Sequence, residues 1–268
     1  MKNWKKLMAG FCVAAMVSSM VVPVWATDDA AAEEDADGDV ADVSEAMLGL
    51  WKDSAGDIYG FIGHNGAGKS TTIKSVAGVL EFEEGTITID GIDIKENPVA
   101  CKKCMAYIPD NPDLYEHLTG IQYLNFIGDI FEVEASVRKE RIQRYGDQFA
   151  LTGALGDPVA SYSHGMKQKL AIISALIHEP KLMILDEPFV GLDPKATLLL
   201  KNTMHEMCQR GAAIFFSTHV LDVAEKLCNK VAIIKKGQLI VSGHIDELTK
   251  GESLESVFME VVSDVSTD

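Results

Sequence analysis

A chain of 268 residues with 47% apolar and 24% charged residues has the length and composition of one large α/β domain or of two small domains. Its formal net charge of −16 argues against a general nucleic-acid-binding protein, because no surplus of Lys and Arg is available to neutralise phosphates. Five cysteines are scattered along the chain. The pair Cys101 and Cys104 has C-x-x-C spacing but no second pair with which to form a zinc site, so we expect buried or half-exposed thiols.

The first 26 residues have the features of a secretory signal peptide. Three lysines in the first six residues precede an apolar stretch over residues 7–24, and Val24-Trp25-Ala26 resembles a cleavage site. An uncleaved membrane anchor or a hydrophobic helix is the alternative. No other run in the sequence approaches the roughly 18 apolar residues that a membrane span needs. The sequence therefore predicts that the membrane-spanning part of any larger assembly is another polypeptide.

Residues 27–55 predict a flexible acidic linker. Nine carboxylates lie between Asp28 and Glu45, and large apolar side chains are few. Such a segment cannot bury enough apolar surface to offset the entropy lost on ordering. From residue 56 the pattern becomes that of a folded domain, which we predict to extend to residue 262 and to be followed by a short tail, 263–268.

The stretch "GHNGAGKST" predicts a phosphate-binding loop. It matches the pattern GxxxxGK[ST] and lies between a predicted buried strand, 57–62, and a predicted helix that begins near Lys69. Glycines allow backbone N–H groups to converge on phosphate oxygens, and the helix adds the positive end of its dipole. In this pattern Lys69 reaches the β- and γ-phosphates, and the Ser70 hydroxyl holds Mg²⁺. The predicted nucleotide-contacting residues are Gly63, His64, Asn65, Gly66, Ala67, Gly68, Lys69, Ser70 and Thr71.

Three further segments predict regular elements around this loop. Residues 85–94, "GTITIDGIDI", alternate as a half-exposed strand with an Asp-Gly turn. Residues 115–153 are mostly helical by pattern, and we expect an inserted helical subdomain over about 112–165. Residues 230–243, "KVAIIKKGQLIVSG", predict a hairpin about Lys236-Gly237.

The segment "KLMILDEP" predicts a strand that is buried on both faces and ends in two carboxylates. Such strands are typical of parallel sheets, and ligands bind at their carboxyl ends. Asp186 is then placed to hold Mg²⁺ through water, and Glu187 could polarise an attacking water molecule. Taken alone, two solvated acids at the end of a strand are the simpler interpretation. Because the segment occurs together with the glycine loop, we favour the interpretation that the two acids are functional residues.

Four more motifs, together with the two above and in this order, show a family resemblance. They are "YSHGMKQKL" (162–170), "GLDP" (191–194), "STH" (217–219) and "SLESVFMEVV" (253–262). Over about residues 56–262 the chain resembles the ATP-binding subunits of ABC transporters. It is most similar to those that energise ABC-2-type exporters of drugs and antimicrobial peptides.

The resemblance implies an α/β fold: a P-loop NTPase (RecA-like) core with a mostly parallel sheet, a partial antiparallel β subdomain and the inserted helical subdomain. Two such ATPase domains, identical or different, would pack head to tail. Ser163 and Gly165, at a predicted helix N-terminus, would then cap the ATP held by the other subunit. His164 takes the place of a glycine in the usual signature LSGGQ, and we expect it to be tolerated rather than catalytic. An integral membrane permease subunit would complete the transporter at the cytoplasmic face of the cell membrane, with no nucleic-acid partner.

The resemblance also assigns roles in ATP hydrolysis. It implies that the catalytic residues are Lys69, Glu187 and His219, of which His219 stabilises the γ-phosphate. Asp193, in the D-loop motif, belongs to the nucleotide-binding residues. Asp110 stands where the family usually has a glutamine, and we retain it beside Ser70 and Asp186 as a weaker Mg²⁺ ligand.

One part of the family pattern is missing. Members have two strands before the glycine loop and an aromatic residue that stacks on adenine, whereas this chain has the acidic stretch "AAEEDADGDVA" upstream. The first hypothesis is an ATPase that powers an exporter. The alternative is a catalytically inactive or truncated hybrid fused to the N-terminus of a secreted protein, whose export signal conflicts with a cytoplasmic location. An ABC-type ATPase of translation or repair is a third possibility.

Overall fold

A computed structural model of the protein describes residues 19–20, 51–52 and 56–264. The predicted signal peptide, acidic linker and tail therefore lie outside the described residues, apart from residues 19–20, 51–52 and 263–264. Strand β1 (Ser19–Met20) pairs antiparallel with β2 (Trp51–Lys52).

The remaining strands form one large sheet and one small hairpin. They are β3 (Ile58–Ile62), β4 (Thr88–Ile89), β5 (Ile92–Asp93), β6 (Met105–Ile108), β7 (Leu182–Leu185), β8 (Ala213–Thr218), β9 (Lys230–Lys235) and β10 (Gln238–His244). The six-stranded sheet has the order β10-β9-β3-β8-β7-β6. All its pairings are parallel except that of β10 with β9. Every residue of β3 and β7 is buried, which confirms the two predicted strands that are covered on both faces.

Nine helices are present in the described part of the chain. They are α1 (Lys69–Val76), α2 (Pro98–Cys104), α3 (Gly120–Ile130), α4 (Ala135–Gln148), α5 (His164–Leu176), α6 (Pro194–Gln209), α7 (Leu221–Leu227), α8 (Ile245–Thr249) and α9 (Leu254–Asp264). Two short 3₁₀ helices, Thr152–Ala154 and Val159–Ser161, lie between α4 and α5. None of the helices in the described ranges is long and apolar enough to cross a membrane.

Two hydrophobic clusters cover the opposite faces of the sheet. Because side chains alternate along a strand, Ile58 and Ile62 of β3 pack into one cluster, and Tyr59 and Phe61 pack into the other. The first cluster includes the buried faces of α3, α4, α5 and α6. The second lies under α1, α2 and the β4–β5 hairpin. The sheet is thus a rigid support on which the loops at its carboxyl edge are held.

The range predicted as a helical subdomain contains two helices, α3 and α4, that precede α5. A reciprocal capping box starts α3: the Thr119 hydroxyl accepts from the Gln122 N–H, and the Gln122 side chain accepts from the Thr119 N–H. The Glu134 carboxylate caps α4 by accepting from two backbone N–H groups. Both helices pack on α5 through the first hydrophobic cluster.

The predicted hairpin about Lys236-Gly237 and the predicted Asp-Gly turn are both confirmed, and the φ angles of the turn residues explain them. The β4–β5 turn has Asp90 at φ 54° and Gly91 at φ 77°, and the β9–β10 turn has Lys236 at φ 49° and Gly237 at φ 75°. Two consecutive positive φ angles match the twist of a two-residue hairpin, and glycine at the second position adopts them without strain.

The cysteines are confirmed as buried or half-buried free thiols within residues 56–264. Cys101, Cys208 and Cys228 are buried and Cys104 is half-buried. Burial raises the pKa of all four thiols, to about 12 for Cys208, so they stay protonated at neutral pH.

Candidate functional site

The predicted functional residues converge at the carboxyl edge of the large sheet. The glycine loop follows β3, the acids Asp186 and Glu187 follow β7, and His219 follows β8. Asp110 lies two residues beyond β6. Because β6, β7, β8 and β3 are consecutive parallel neighbours, their carboxyl ends open at the same edge, where ligands bind in sheets of this type.

The glycine loop has the geometry of an anion cradle. Helix α1 begins at Lys69 after Gly68, which has φ 100°, and no side chain caps the helix. The first N–H groups of α1 therefore have no intrahelical partner and face the loop with the positive end of the helix dipole. A Cβ at Gly63 would lie 2.6 Å from the carbonyl oxygen of Ile234, so only glycine fits there, whereas the space around Gly66 is open.

Lys69 is the cation at the centre of this cradle. Its side chain is 7% exposed, and its Nζ donates to the carbonyl oxygens of Gly63 (2.8 Å) and His64 (3.2 Å). The Glu187 carboxylate lies 3.8 Å from the same nitrogen. The Lys69 ammonium group is thus held by two carbonyl oxygens of the loop and lies beside the Glu187 carboxylate.

Glu187 contacts both Lys69 and His219, the residue predicted to stabilise the γ-phosphate. Its Oε1 lies 2.9 Å from Nδ1 of His219, whose side chain is half exposed. The Glu187 N–H donates to the Ser217 hydroxyl (3.0 Å) at the end of β8. The φ angle of Glu187 is 46°, which is uncommon for a residue other than glycine.

Asp186 is buried behind Glu187 and belongs to a polar network that the sequence did not reveal. Its carboxylate accepts from the Ser217 hydroxyl at 2.5 Å.

The Tyr107 hydroxyl is shielded from solvent and has no protein partner. Burial and the charges of Asp186 and Asp110 raise the pKa of Tyr107 to about 12, so the tyrosine is neutral. Hydroxyl residues inside buried strands gave no sequence signal, because they become informative only once neighbouring strands are known.

The glycine loop, Asp110 and Glu187 line a cavity of about 340 Å³. It is lined by Asn65, Gly66, Lys69, Ser70, Thr71, Asp110 and Glu187. Within residues 56–264 no three His, Cys, Asp or Glu side chains form a metal cage. Mg²⁺ is commonly held by one or two carboxylates together with substrate phosphates and water, so the Ser70 hydroxyl and the Asp110 carboxylate on this cavity fit it, with buried Asp186 behind them.

The signature and D-loop residues lie elsewhere and do not line this cavity. The Ser163 hydroxyl caps α5 by accepting from the Met166 N–H, which confirms the predicted helix N-terminus. Asp193 caps α6 by accepting from the Ala196 N–H (2.8 Å), and it forms an ion pair with Lys169 of α5 at 2.7 Å. The carboxylate of Asp193 is therefore engaged within its own chain.

The N-terminus of α5 packs directly on the D-loop. A Cβ at Gly165 would lie 2.8 Å from the Gly191 carbonyl oxygen, and a Cβ at Gly191 would lie 2.4 Å from the His164 ring. Together with the Lys169–Asp193 ion pair, these contacts connect the two motifs into one surface. His164 thus packs against the D-loop, a contact that motif comparison did not predict.

We expect Gly165→Ala to destabilise the protein although alanine is the better helix former. The new Cβ would meet a backbone carbonyl that cannot rotate away, and such overpacking costs about 1–3 kcal/mol of the free energy of unfolding. Urea denaturation measures the change. Gly156→Ala is the matched control, since nothing lies within 4 Å of the added Cβ there. Equal stability of the two variants would contradict the close packing of α5 on the D-loop.

Comparison with known proteins identifies the group to which these features belong. A family model described as ABC transporter matches residues 51–190, and its match begins five residues before the boundary predicted at residue 56. The ABC-type transporter ATP-binding protein EcsA of Bacillus subtilis is 35% identical over 77% of this chain and 86% of its own length. The linearmycin resistance ATP-binding protein LnrL of the same organism is 30% identical over 79% of this chain and 68% of its own length.

Solved structures confirm the predicted fold class. A structure described as the ATP binding subunit of an ABC transporter is 35% identical, with a TM-score of 0.76 over 82% of this chain and 95% of that chain. The chain thus has the α/β P-loop NTPase fold, with a mostly parallel sheet, a small antiparallel sheet and surrounding helices. Some relatives are longer, and the chain spans 58% of the length of one of them. The comparisons support neither the predicted signal peptide nor the alternative of an inactive hybrid.

Proposed function

Because this chain belongs to the ABC transporter family of ATP-binding proteins, we propose that it binds and hydrolyses ATP to power an exporter. The observation that carries this proposal is the position of Glu187, whose carboxylate contacts both the loop lysine Lys69 and His219 beside a cavity of about 340 Å³. A solvated pair of acids at the end of a strand would have neither contact.

The residues of the site would divide the work of phosphoryl transfer. The N–H groups at the start of α1 and the Lys69 ammonium bind the β- and γ-phosphates. Glu187 orients and polarises the attacking water, and His219 holds Glu187 and contacts the γ-phosphate. Ser70, with Asp186 and Asp110, would hold Mg²⁺, which would neutralise charge on the phosphates when bound. In-line transfer needs little covalent chemistry from the protein, so positioning and charge supply most of the rate.

The direct test is nucleotide binding and phosphate release by the purified chain. We expect saturable binding of a fluorescent ATP analogue in the presence of Mg²⁺ and steady release of phosphate from ATP. Binding without any release, at several protein concentrations and with Mg²⁺ present, would contradict the hydrolytic function. Absence of binding would contradict the function as a whole.

In a dimer, the signature residues Ser163 and Gly165 at the N-terminus of α5 could contact the ATP bound by the other subunit. Ser163 is exposed, and Gly165 is half-buried beside it at the N-terminus of α5, a position suited to bind an anion presented by another molecule. We therefore propose that two ATPase domains, identical or different, pack head to tail around ATP. Sedimentation of the hydrolysis-deficient Glu187→Gln variant with and without ATP tests this for identical subunits. A monomer at saturating ATP would contradict a homodimer.

A membrane permease is the second proposed partner. A groove of about 350 Å³ lies between β6, α3 and α5, and its apolar lining includes Val79, Met105, Ile127 and Phe131. Val79 is 61% exposed, so part of the apolar lining is open to solvent. The groove also includes Tyr107 of β6, the strand after which Asp110 lies, so the groove is close in sequence to the candidate nucleotide site.

The location and cargo of the system follow from the same proposal. We place the chain at the cytoplasmic face of the cell membrane, bound through the permease. The resemblance to LnrL, a linearmycin resistance protein, and the motif "SLESVFMEVV" favour export of drugs or antimicrobial peptides. Co-expression with a candidate permease should retain the chain in the membrane fraction. A chain that stays in the supernatant would contradict that pairing.

A further inference from the structure

The C-terminal helix α9 lies against the phosphate loop, far from it in sequence. Phe258 of α9 is 5% exposed, and its ring centroid lies 5.0 Å from that of His64, with the ring planes inclined at 67°. This is an edge-to-face contact, the arrangement that aromatic rings prefer. His64 is the second residue of the loop, so the last helix of the described chain supports the loop where it leaves β3.

The backbone of His64 is a central point of the loop. Its carbonyl oxygen accepts from the Ala67 N–H at 3.1 Å, which closes the turn, and from the Lys69 Nζ at 3.2 Å, which holds the central cation. A displacement of His64 would therefore move both the turn and the ammonium group. The Phe258 ring limits that displacement from the side of the His64 ring.

A second connection joins the same segment to the loop. The Gly237 N–H, in the β9–β10 turn, donates to the Ala67 carbonyl oxygen at 2.9 Å. Lys235, at the end of β9, donates through its Nζ to the carbonyl oxygen of Val262 in α9. The loop is thus held by the hairpin and by α9, and these two elements are themselves linked.

Helix α9 is anchored independently of the loop. Leu254 is fully buried, and its N–H donates to the Glu225 carboxylate of α7 at 2.9 Å. Val257 is also buried, whereas the neighbouring Met259 is 61% exposed. Phe258 is therefore presented to His64 by a helix whose position other contacts determine.

We propose that Phe258 is a positioning residue for nucleotide binding, which it promotes by fixing His64 and with it the phosphate loop. The inference rests on the proposed ATP-binding function. A preorganised loop binds phosphate without the entropic cost of ordering, so loss of the contact weakens binding without removing any group that touches the nucleotide.

The test is a double-mutant cycle on ATP affinity with Phe258→Ala, His64→Ala and the double variant. We expect each single change to raise the dissociation constant of Mg-ATP about threefold to tenfold, as expected for one aromatic contact. The double variant should be no weaker than the weaker single variant, because both changes remove one interaction. Met259→Ala is the control on α9 and should bind as the wild type does.

A ring-retaining variant separates packing from direct contact with phosphate. His64 is exposed, so His64→Phe is not expected to unfold the protein, and it keeps a ring for Phe258 to contact. We expect His64→Phe to bind Mg-ATP more tightly than His64→Ala, because it restores a ring in contact with Phe258. The thermal midpoint without nucleotide, measured for every variant, shows how much each change affects folding.

Three outcomes would overturn the inference. One is an additive cycle, and another is unchanged affinity in Phe258→Ala with only a lower thermal midpoint, which would mean that Phe258 serves packing alone. The third is equal loss of affinity in His64→Phe and His64→Ala, which would assign the effect to the imidazole itself. Failure of the wild-type chain to bind ATP would instead refute the proposed function, and the inference with it.

Discussion

Glu187→Gln is expected to reduce ATP turnover about 100-fold to 1,000-fold while ATP binding is kept, because a positioned base contributes about that much to proton transfer. The amide retains the shape of the side chain and an oxygen that can still bond to His219 Nδ1. It loses the negative charge that polarises water. The Glu187 carboxylate lies 3.8 Å from the Lys69 ammonium group and offsets part of its positive charge. Removal of the carboxylate charge should therefore not weaken the binding of an anion such as ATP.

Phosphate release and the dissociation constant of Mg-ATP, measured on the same preparation, check this prediction. Glu206→Gln, an exposed position on α6, is the matched control and should keep wild-type turnover. Unchanged turnover in Glu187→Gln would remove Glu187 from the catalytic residues. A parallel loss of binding would show instead that the change disturbs the loop.

Lys69→Met is expected to weaken ATP binding about 10-fold to 100-fold, the loss associated with hydrogen bonds to a charged group. Methionine keeps an unbranched apolar side chain in this buried position, so the principal loss is the ammonium group. That group now bonds to the carbonyl oxygens of Gly63 and His64, and in the proposed complex it also contacts the phosphates. Hydrolysis should fall together with binding.

Titration with a fluorescent ATP analogue measures the effect. Lys74→Met, on the same helix but exposed, is the control for the loss of one positive charge near the site. If both variants bound as weakly as each other, general electrostatics rather than the Lys69 position would explain the change. The thermal midpoint of Lys69→Met without nucleotide shows whether the loop carbonyls tolerate the loss of their partner.

Much of the fold could be predicted from local patterns in the sequence. The buried strands β3 and β7, the helix that begins at Lys69, and both hairpin turns follow from contiguous runs of residues, and all are confirmed. Hydrophobic runs, glycine positions and positive φ angles are short-range properties, and the residues that express them are neighbours in the chain. The glycine loop is the strongest example.

The support of the site could not be predicted in this way. The contacts of Ser217 with Asp186, of Phe258 with His64, and of Gly165 with the D-loop join residues that are far apart in sequence. Each depends on which strands are neighbours and on where a helix returns to the sheet. No single segment of the sequence determines the strand order or the position of a returning helix, because both depend on the burial of the whole core.

By itself, the sequence determined the chemical groups of the candidate site: a glycine loop with the phosphate-binding pattern, a pair of acids after a buried strand, and a histidine after another. Tertiary structure alone decided that Glu187 contacts both Lys69 and His219, and that the C-terminal helix α9 contacts the glycine loop. The physical reason is that residue type decides what a group can do, whereas the distance between groups is a property of the packed chain.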